Sequence, residues 1–390
     1  MKVGGRTFAI DETGVVKIVK ITHLFPHSDN DGNGVVNAVV DLACTQSAFG
    51  HQISCIGSRG GSHSDLLLRC GVSIHTLRWS GVKQAFNLKQ LHSLLKSLRP
   101  QIVHAHTVPM ALMAWVLKPI LGFRLITTVH NDGPPMKNIL LNVGDRIICV
   151  SAAVAAKMGS LHVASEKIAI VRNGMVGSLR RPPVSQQGPL IDRLLINRPA
   201  IVTLGGLHSC KGMEDLISAF AIAQRTIPNL ALYILGKGPL RSRLERQASR
   251  VKSRGGIHFV GFVADPRSYL SQADVFVLSS HREAFGLALA EAREAGCAVV
   301  GTNVGGIPEV LELGRRGILV SANKPTEMSD VIVGLLADET LRKTWQKRAL
   351  ENLSWLRVER VCEETLAVYN EALLARPNHK LSYRLCVPKS

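Results

Sequence analysis

The sequence predicts an α/β protein of two domains, each a parallel sheet covered by helices, and three observations carry that prediction. Its 390 residues exceed what one ordinary hydrophobic core accommodates. Short β-branched runs alternate with helix-period segments almost from end to end, as expected of parallel strands joined by helical crossovers. Near the middle the alternation lapses into Arg-Pro-Pro, Gln-Gln-Gly-Pro and Asn-Arg-Pro, where the prolines deny both helix and central strand.

In the first series, strands are expected at 16–21, 52–56, 73–77, 102–105, 125–129 and 147–150, with helices at 35–49 and 85–98 among the connections. The second series places strands at 201–204, 232–235, 257–260, 275–278, 298–300 and 318–320, with a helix at 213–224. From Pro325 onward the pattern is helical, ending in a helix at 358–374 and a loose basic tail at 376–390. The expected organisation is a first domain at 1–185, a linker at 186–199, a second domain at 200–355, and a C-terminal helix and tail at 356–390 that pack back on the first domain.

Apolar residues make up 46% and charged residues 19%, which excludes disordered and fibrous classes. The formal charge of +18 is uneven. Residues 1–185 hold 20 Lys and Arg against 9 Asp and Glu, so the first half is the more basic. Such a surface attracts nucleic acid, anionic headgroups or phosphorylated substrates. Nucleic acid is set aside, because aromatics total only 5% and no recognition helix or stacking motif accompanies the charge. The eight cysteines are scattered without a Cys-x-x-Cys, and Cys44, Cys55, Cys149, Cys297 and Cys362 fall in apolar or helical runs, as in a reducing compartment. The longest apolar run, 110–117, stops at Lys118 and Pro119, far short of a membrane span. A cytoplasmic protein, at most peripheral on the inner face of a membrane, is expected.

In open α/β sheets ligands bind beyond the carboxyl ends of strands, so the loops there are the candidate sites. The loop after 275–278 runs Ser279-Ser280-His281-Arg282-Glu283-Ala284-Phe285-Gly286-Leu287 and leads into a helix carrying Glu291. Gly286 permits close backbone approach, and free N–H groups at a helix start suit a diphosphate. The loop after 201–204 is Gly205-Gly206-Leu207-His208-Ser209-Cys210-Lys211-Gly212, where Lys211 can neutralise a leaving phosphate. Two more glycine loops follow: Gly236-Lys237-Gly238-Pro239, and Gly261-Phe262-Val263. In the first half, residues 26–34 end in Gly32-Asn33-Gly34, Thr127-Thr128-Val129 leads to His130, and His104-Ala105-His106 closes another strand.

Glu283 and Glu291, the Phe-Gly turn between them and the later Gly305-Gly306-Ile307-Pro308-Glu309 loop resemble the retaining glycosyltransferases of family 4, whose hallmark is Glu-x7-Glu. The resemblance runs from the first strand to Val320 and implies the GT-B fold, two Rossmann-like domains facing across a cleft. It implies a hexosyltransferase using a nucleoside diphosphate sugar and a saccharide or lipid-linked acceptor, in cell-envelope glycan or polysaccharide synthesis. Glu283 would contact sugar hydroxyls, the backbone of Ala284, Phe285, Gly286 and Leu287 sugar and phosphate, and Glu291 the ribose. His130 would face the reacting side of the sugar, and Gly32, Gly34, Gly205, Gly206, Gly236, Phe262 and Val263 would line the donor site with Lys211. The family usually has arginine where this chain has Gly206, which leaves open a non-catalytic nucleotide-sugar-binding subunit; a sugar-nucleotide epimerase of the same fold is the other alternative.

No obligatory metal or other cofactor is expected. Asp29 and Asp31 form Asp-x-Asp, the metal signature of the GT-A fold, but at a first strand-to-helix turn of a doubled chain they are discounted. As a dinucleotide motif the same loop fails, because Asn37 stands where a third glycine belongs. His104 and His106 share a strand face, yet the sequence shows no further ligand at metal spacing, so structural or acceptor-lining roles are expected. Arg59, Arg69, Lys83, Lys89 and Lys96 are the candidates for docking on an anionic membrane surface. Asn173-Gly174 is read as a backbone-shaping hinge turn.

Overall fold

Both alternating series become parallel sheets. The computed structural model describes residues 18–27, 33–58, 62–77, 84–130, 138–180, 196–252 and 254–375, together with a short antiparallel pairing of Lys2–Val3 with Arg6–Thr7. In the first sheet the strands are β1 (Lys20–His27), β2 (Gln52–Ser58), β3 (Ser73–Thr76), β4 (Ile102–Ala105), β5 (Arg124–Val129), β6 (Arg146–Cys149) and β7 (Ile168–Ile170). They lie in the order β3-β2-β1-β4-β5-β6-β7. The second sheet holds β8 (Ala200–Leu204), β9 (Ala231–Leu235), β10 (Ile257–Gly261), β11 (Val275–Leu278), β12 (Ala298–Thr302) and β13 (Ile318–Val320), in the order β10-β9-β8-β11-β12-β13. In each sheet the strand order reverses beside the first strand, at β1/β4 and at β8/β11. Loops part there and leave a crevice for ligand.

In the second sheet β9, β11 and β12 are buried along their whole length, as strands covered by helices on both faces are, while the edge strands β10 and β13 are only partly buried. In the first half, Asn33 caps the helix Gly34–Ala48 by accepting from Val35 N at 3.0 Å. The C-terminal helix Val358–Leu374 lies on that helix, its Val368, Tyr369 and Ala372 sharing one buried cluster with Val36, Val39, Val40 and Ala43. Asp41 of the same helix binds Arg180 through two bonds of 2.8 and 2.9 Å and accepts from Ser178 Oγ at 2.6 Å. In the second half the helix Leu287–Glu294 is anchored by Arg293, whose fully buried guanidinium donates to the carbonyls of Val310 (2.6 Å), Glu351 (2.7 Å) and Ala349 (3.0 Å).

Two expectations need correction. The strand expected at 16–21 runs instead from Lys20 to His27; Ile18 is exposed, and the buried run is Ile21, Thr22, His23, Leu24 and Phe25. His23 is polar and fully buried, yet it is hydrogen-bonded through both ring nitrogens and so sits in a central strand without penalty. The three-residue edge strand β7 was not expected, since it is short and only partly buried. Most of the proposed linker, and the tail at 376–390, lie outside the described residues.

Candidate functional site

At the reversal point of the second sheet, the loops after β8 and β11 meet. His281 N donates to Cys210 O at 2.8 Å and Ser279 Oγ to Lys211 O at 3.0 Å, which fixes one loop against the other. Lys211 Nζ then lies 2.6 Å from Glu283 Oε2, and Ser280 Oγ donates to the same oxygen at 3.3 Å. The glycines make this convergence sterically possible. A Cβ on Gly305 would fall 1.8 Å from Glu283 O, and one on Gly236 1.9 Å from Gly205 O, so no side chain fits at either position. Gly206 differs: a side chain there would first meet the His208 ring, at 2.9 Å.

Gly286 adopts the left-handed conformation as the N-cap of Leu287–Glu294 and follows Ala284 and Phe285, which are buried. Glu291 lies inside that helix and is 9% exposed. Its charge reaches Arg180: burial alone would lower that guanidinium, but Asp41 first and Glu291 with it raise it above the ordinary arginine value. Phe262 and Val263 follow β10, and Lys237 Nζ stands 5.8 Å from the centre of the Phe262 ring.

Across the crevice, Gly34 opens the helix Gly34–Ala48, and its Cβ position is 3.8 Å from Leu287 Cδ1. The starts of one helix from each half thus face one another. A second bridge forms where Glu309 accepts from the N–H groups of Ala152 and Ala153, each at 3.1 Å, and from Arg172 Nε at 2.6 Å. Gly174 serves close approach, as expected of a shaping turn: its Cβ position lies 2.4 Å from Leu356 O, and Met175 N donates to that carbonyl at 2.7 Å. Gly32, Asp29 and Asp31 fall outside the described residues.

His130, at the end of β5, belongs to a histidine cluster. His106 Nδ1 is 2.9 Å from His130 Nε2, and His106 Nε2 is 3.0 Å from His23 Nδ1. His104 is held by Tyr369 OH at 2.5 Å and Thr128 Oγ1 at 2.6 Å. Parallel pairing of β1 with β4 sets His23 beside His104, a third histidine that spacing along the sequence did not show. The nitrogens of His23, His104 and His106 approach within 4.8 Å, close enough to hold a metal ion, but all six are matched to polar partners. Burial pushes His23 and His130 down to about 4 and His104 and His106 well below the usual histidine range. With His104, His106, His130 and Thr128, the residues Asp41, Asn173 and Thr365 line a cavity under the C-terminal helix.

Comparison with known proteins decides the family. Residues 32–176 match the family described as Glycosyltransferase Family 4, and residues 192–352 match Glycosyl transferases group 1. The chain belongs to the group 1, family 4 glycosyltransferases. This glycosyltransferase is 25% identical over 294 residues to the N-acetyl-alpha-D-glucosaminyl L-malate synthase of Bacillus anthracis, covering 72% of this chain and 77% of that one. It is 27% identical over 277 residues to the lipopolysaccharide core biosynthesis glycosyltransferase LpsE of Rhizobium meliloti, covering 69% and 77%. Its fold matches the crystal structure of Anabaena HepE in complex with UDP and glucose, at a TM-score of 0.78 and 19% identity, covering 90% of this chain and all of the other. The two facing Rossmann-like halves are therefore the GT-B fold, and the enzyme is a hexosyltransferase.

In the sequence of this glycosyltransferase Lys211 and Glu283 stand out separately but not as an ion pair, since 72 residues separate them. His23, Gln46 and Tyr369 were missed altogether. The one available signal was a histidine inside an apolar strand, whose burial demands two hydrogen-bond partners.

Proposed function

We propose that this enzyme transfers a hexosyl unit, with retention, from a nucleoside diphosphate sugar to a saccharide or lipid-linked acceptor in cell-envelope glycan or polysaccharide synthesis. The observation that carries the reading is the Lys211–Glu283 pair at the reversal point of the second sheet, opposite the first half. Within the pair the two charges compensate each other. A diphosphate arriving at the loops draws Lys211 to its own charge, and Glu283 is released to accept hydrogen bonds from sugar hydroxyls. The N–H groups at the start of Leu287–Glu294 add to phosphate binding, and Glu291 holds the ribose.

In the transfer, the bond between the anomeric carbon and the β-phosphate oxygen breaks, its electron pair staying on phosphate. The acceptor oxygen bonds the same face of that carbon, and its proton passes to the departing phosphate oxygen. The chain's residues position and neutralise, with His130 beside the sugar and Lys211 on the leaving group. Lysine and helix N–H groups suffice for the phosphates, so the reaction needs no divalent metal.

UDP and glucose are bound by the Anabaena structure, and the Rhizobium meliloti relative is named for lipopolysaccharide core synthesis; both support this donor and acceptor class. Among the described residues no helix is long and apolar enough to cross a membrane. The first half nevertheless carries a surface suited to peripheral attachment on an anionic membrane. On the helix Val108–Leu121, Trp115, Val116 and Ile120 are 36%, 48% and 69% exposed, and the adjoining helix Gln84–Leu98 carries exposed Lys89 and Lys96. Arg69 is exposed as well, while Arg59 and Lys83 are outside the described residues. Incubating the purified protein with a panel of nucleoside diphosphate sugars and measuring released nucleoside diphosphate tests the assignment. Release from one donor, stimulated by a saccharide acceptor, supports it; tight donor binding without release would instead mark a non-catalytic binding subunit.

A further inference from the structure

Three imidazoles form an unbroken line from Gln46 to His130, just beyond the end of β5. Gln46 Oε1 meets His23 Nε2 at 2.7 Å, His23 Nδ1 meets His106 Nε2 at 3.0 Å, and His106 Nδ1 meets His130 Nε2 at 2.9 Å. Burial keeps the rings neutral, so each carries one N–H and one lone pair. In such a line the role of the first nitrogen dictates the role of every other one.

Gln46 is the group that sets it, and a second arm orients its amide. Gln46 Nε2 reaches Tyr369 OH at 3.5 Å, Tyr369 OH reaches His104 Nδ1 at 2.5 Å, and His104 Nε2 reaches Thr128 Oγ1 at 2.6 Å. A phenol is a stronger proton donor than a neutral imidazole, and an imidazole nitrogen is the stronger acceptor, so the Tyr369 hydroxyl donates to His104 Nδ1. Its oxygen is then free to accept from the Gln46 amide, which turns the Gln46 carbonyl toward His23. From there the line is fixed. His23 Nε2–H donates to Gln46, His106 Nε2–H donates to His23 Nδ1, and His130 Nε2–H donates to His106 Nδ1. The nitrogen left over is His130 Nδ1, a lone pair without a partner among the described residues, on the ring that follows the end of β5.

We propose that Gln46, His23 and His106 are positioning residues that lock His130 in its Nε2–H tautomer, so that Nδ1 serves as an acceptor for a ligand hydroxyl. The opposite tautomer would offer an N–H suited to a phosphate or carboxylate oxygen; the lock selects a sugar hydroxyl. The selection rests on the reading of His130 as sugar-facing, whereas the lock itself does not. Tyr369 extends the control to the C-terminal helix, which comes from the far end of the chain.

Nitrogen-15 NMR of the imidazoles in the full chain reads the tautomers directly. The wild type is expected to show His130 as a single Nε2–H form. Gln46→Glu, whose carboxylate only accepts, keeps that form; Gln46→Leu, which has no acceptor, gives a mixture. On the donor returned by the nucleotide-sugar screen, Gln46→Leu is expected to lower kcat about two- to tenfold, the worth of one hydrogen bond, with nucleotide affinity unchanged and Gln46→Glu rescuing turnover. An Nδ1–H form in the wild type, or an unaltered His130 spectrum in Gln46→Leu, overturns the lock. Full activity in His130→Ala overturns the sugar-facing role alone, and the spectra still decide the lock.

Discussion

Arg172 and Glu309 form an ion pair that joins the two halves of the enzyme, Nε to Oε2 at 2.6 Å. Arg172 is substantially exposed, so the pair itself contributes little. Glu309 has a larger role as an acceptor. The N–H groups of Ala152 and Ala153 belong to the first turn of the helix Ala152–Ser160 and have no partner within it, while Ser151 serves Val154 N. A carboxylate from the opposite half satisfies both and complements the helix dipole.

Glu309→Ala is therefore expected to lower unfolding stability by about 1–2 kcal/mol, with Glu309→Gln recovering roughly half, because the amide keeps an acceptor oxygen and loses the charge. Urea titration of the three proteins measures this. Equal midpoints would show that the halves do not depend on the contact.

The buried histidines make acid stability steep. His23 and His130 are held near 4 by burial, below their unfolded value, so between pH 6.5 and 4 the unfolded chain binds protons that the native chain does not. The sign follows: stability is full above about pH 6.5 and falls as the pH drops toward 4, by roughly 3 kcal/mol per pH unit from His23 and His130 where both contribute fully, with His104 and His106 adding in the same direction. Chemical unfolding across that interval gives the slope. A flat profile contradicts the buried neutral cluster.

Attachment to an anionic surface is expected to depend on both the apolar and the basic parts of the first half. Vesicles containing anionic lipid should carry the protein on flotation at low salt, and neutral vesicles should not. Ile120→Glu should weaken flotation about tenfold, by removing apolar insertion and adding repulsion. Recovery of the protein in the soluble fraction with both lipids would contradict the proposed attachment and leave the transfer chemistry untouched.

Metal independence has a direct check in activity with excess chelator, expected to match activity with added magnesium or manganese. Loss on chelation, restored by either ion, would redirect attention to Asp29 and Asp31.

The two carboxylates of the Glu-x7-Glu segment should separate by function. Glu291→Ala is expected to weaken nucleotide binding by about 1–3 kcal/mol, the worth of the proposed ribose contact, while Glu283→Ala mainly lowers turnover. Calorimetry with free nucleoside diphosphate and steady-state kinetics tell them apart; identical behaviour of both variants would remove the division of roles.

Much of this arrangement was legible because it is local. Apolar runs such as 275–278 mark strands, and glycine-rich composition marks the turns that follow them, with Gly286 at the helix start where it was expected. What stayed hidden depends on strand order. Nothing between His23 and His106, or between Gln46 and Tyr369, announces their contact; the adjacency of β1 and β4 and the return of the C-terminal helix create it. The Lys211–Glu283 pair is intermediate. Each residue stood out in its own loop, and only the β8/β11 reversal joins them.

That pair is the centre of the account, and release of nucleoside diphosphate from the donor by Lys211→Ala, compared with wild type, tests it most directly. If Lys211 meets the leaving group as proposed, its removal should lower turnover about a hundred- to a thousandfold, with Lys211→Arg partly restoring it. Wild-type turnover in Lys211→Ala would contradict the account, because the charge placed against Glu283 would then have no part in breaking the donor bond.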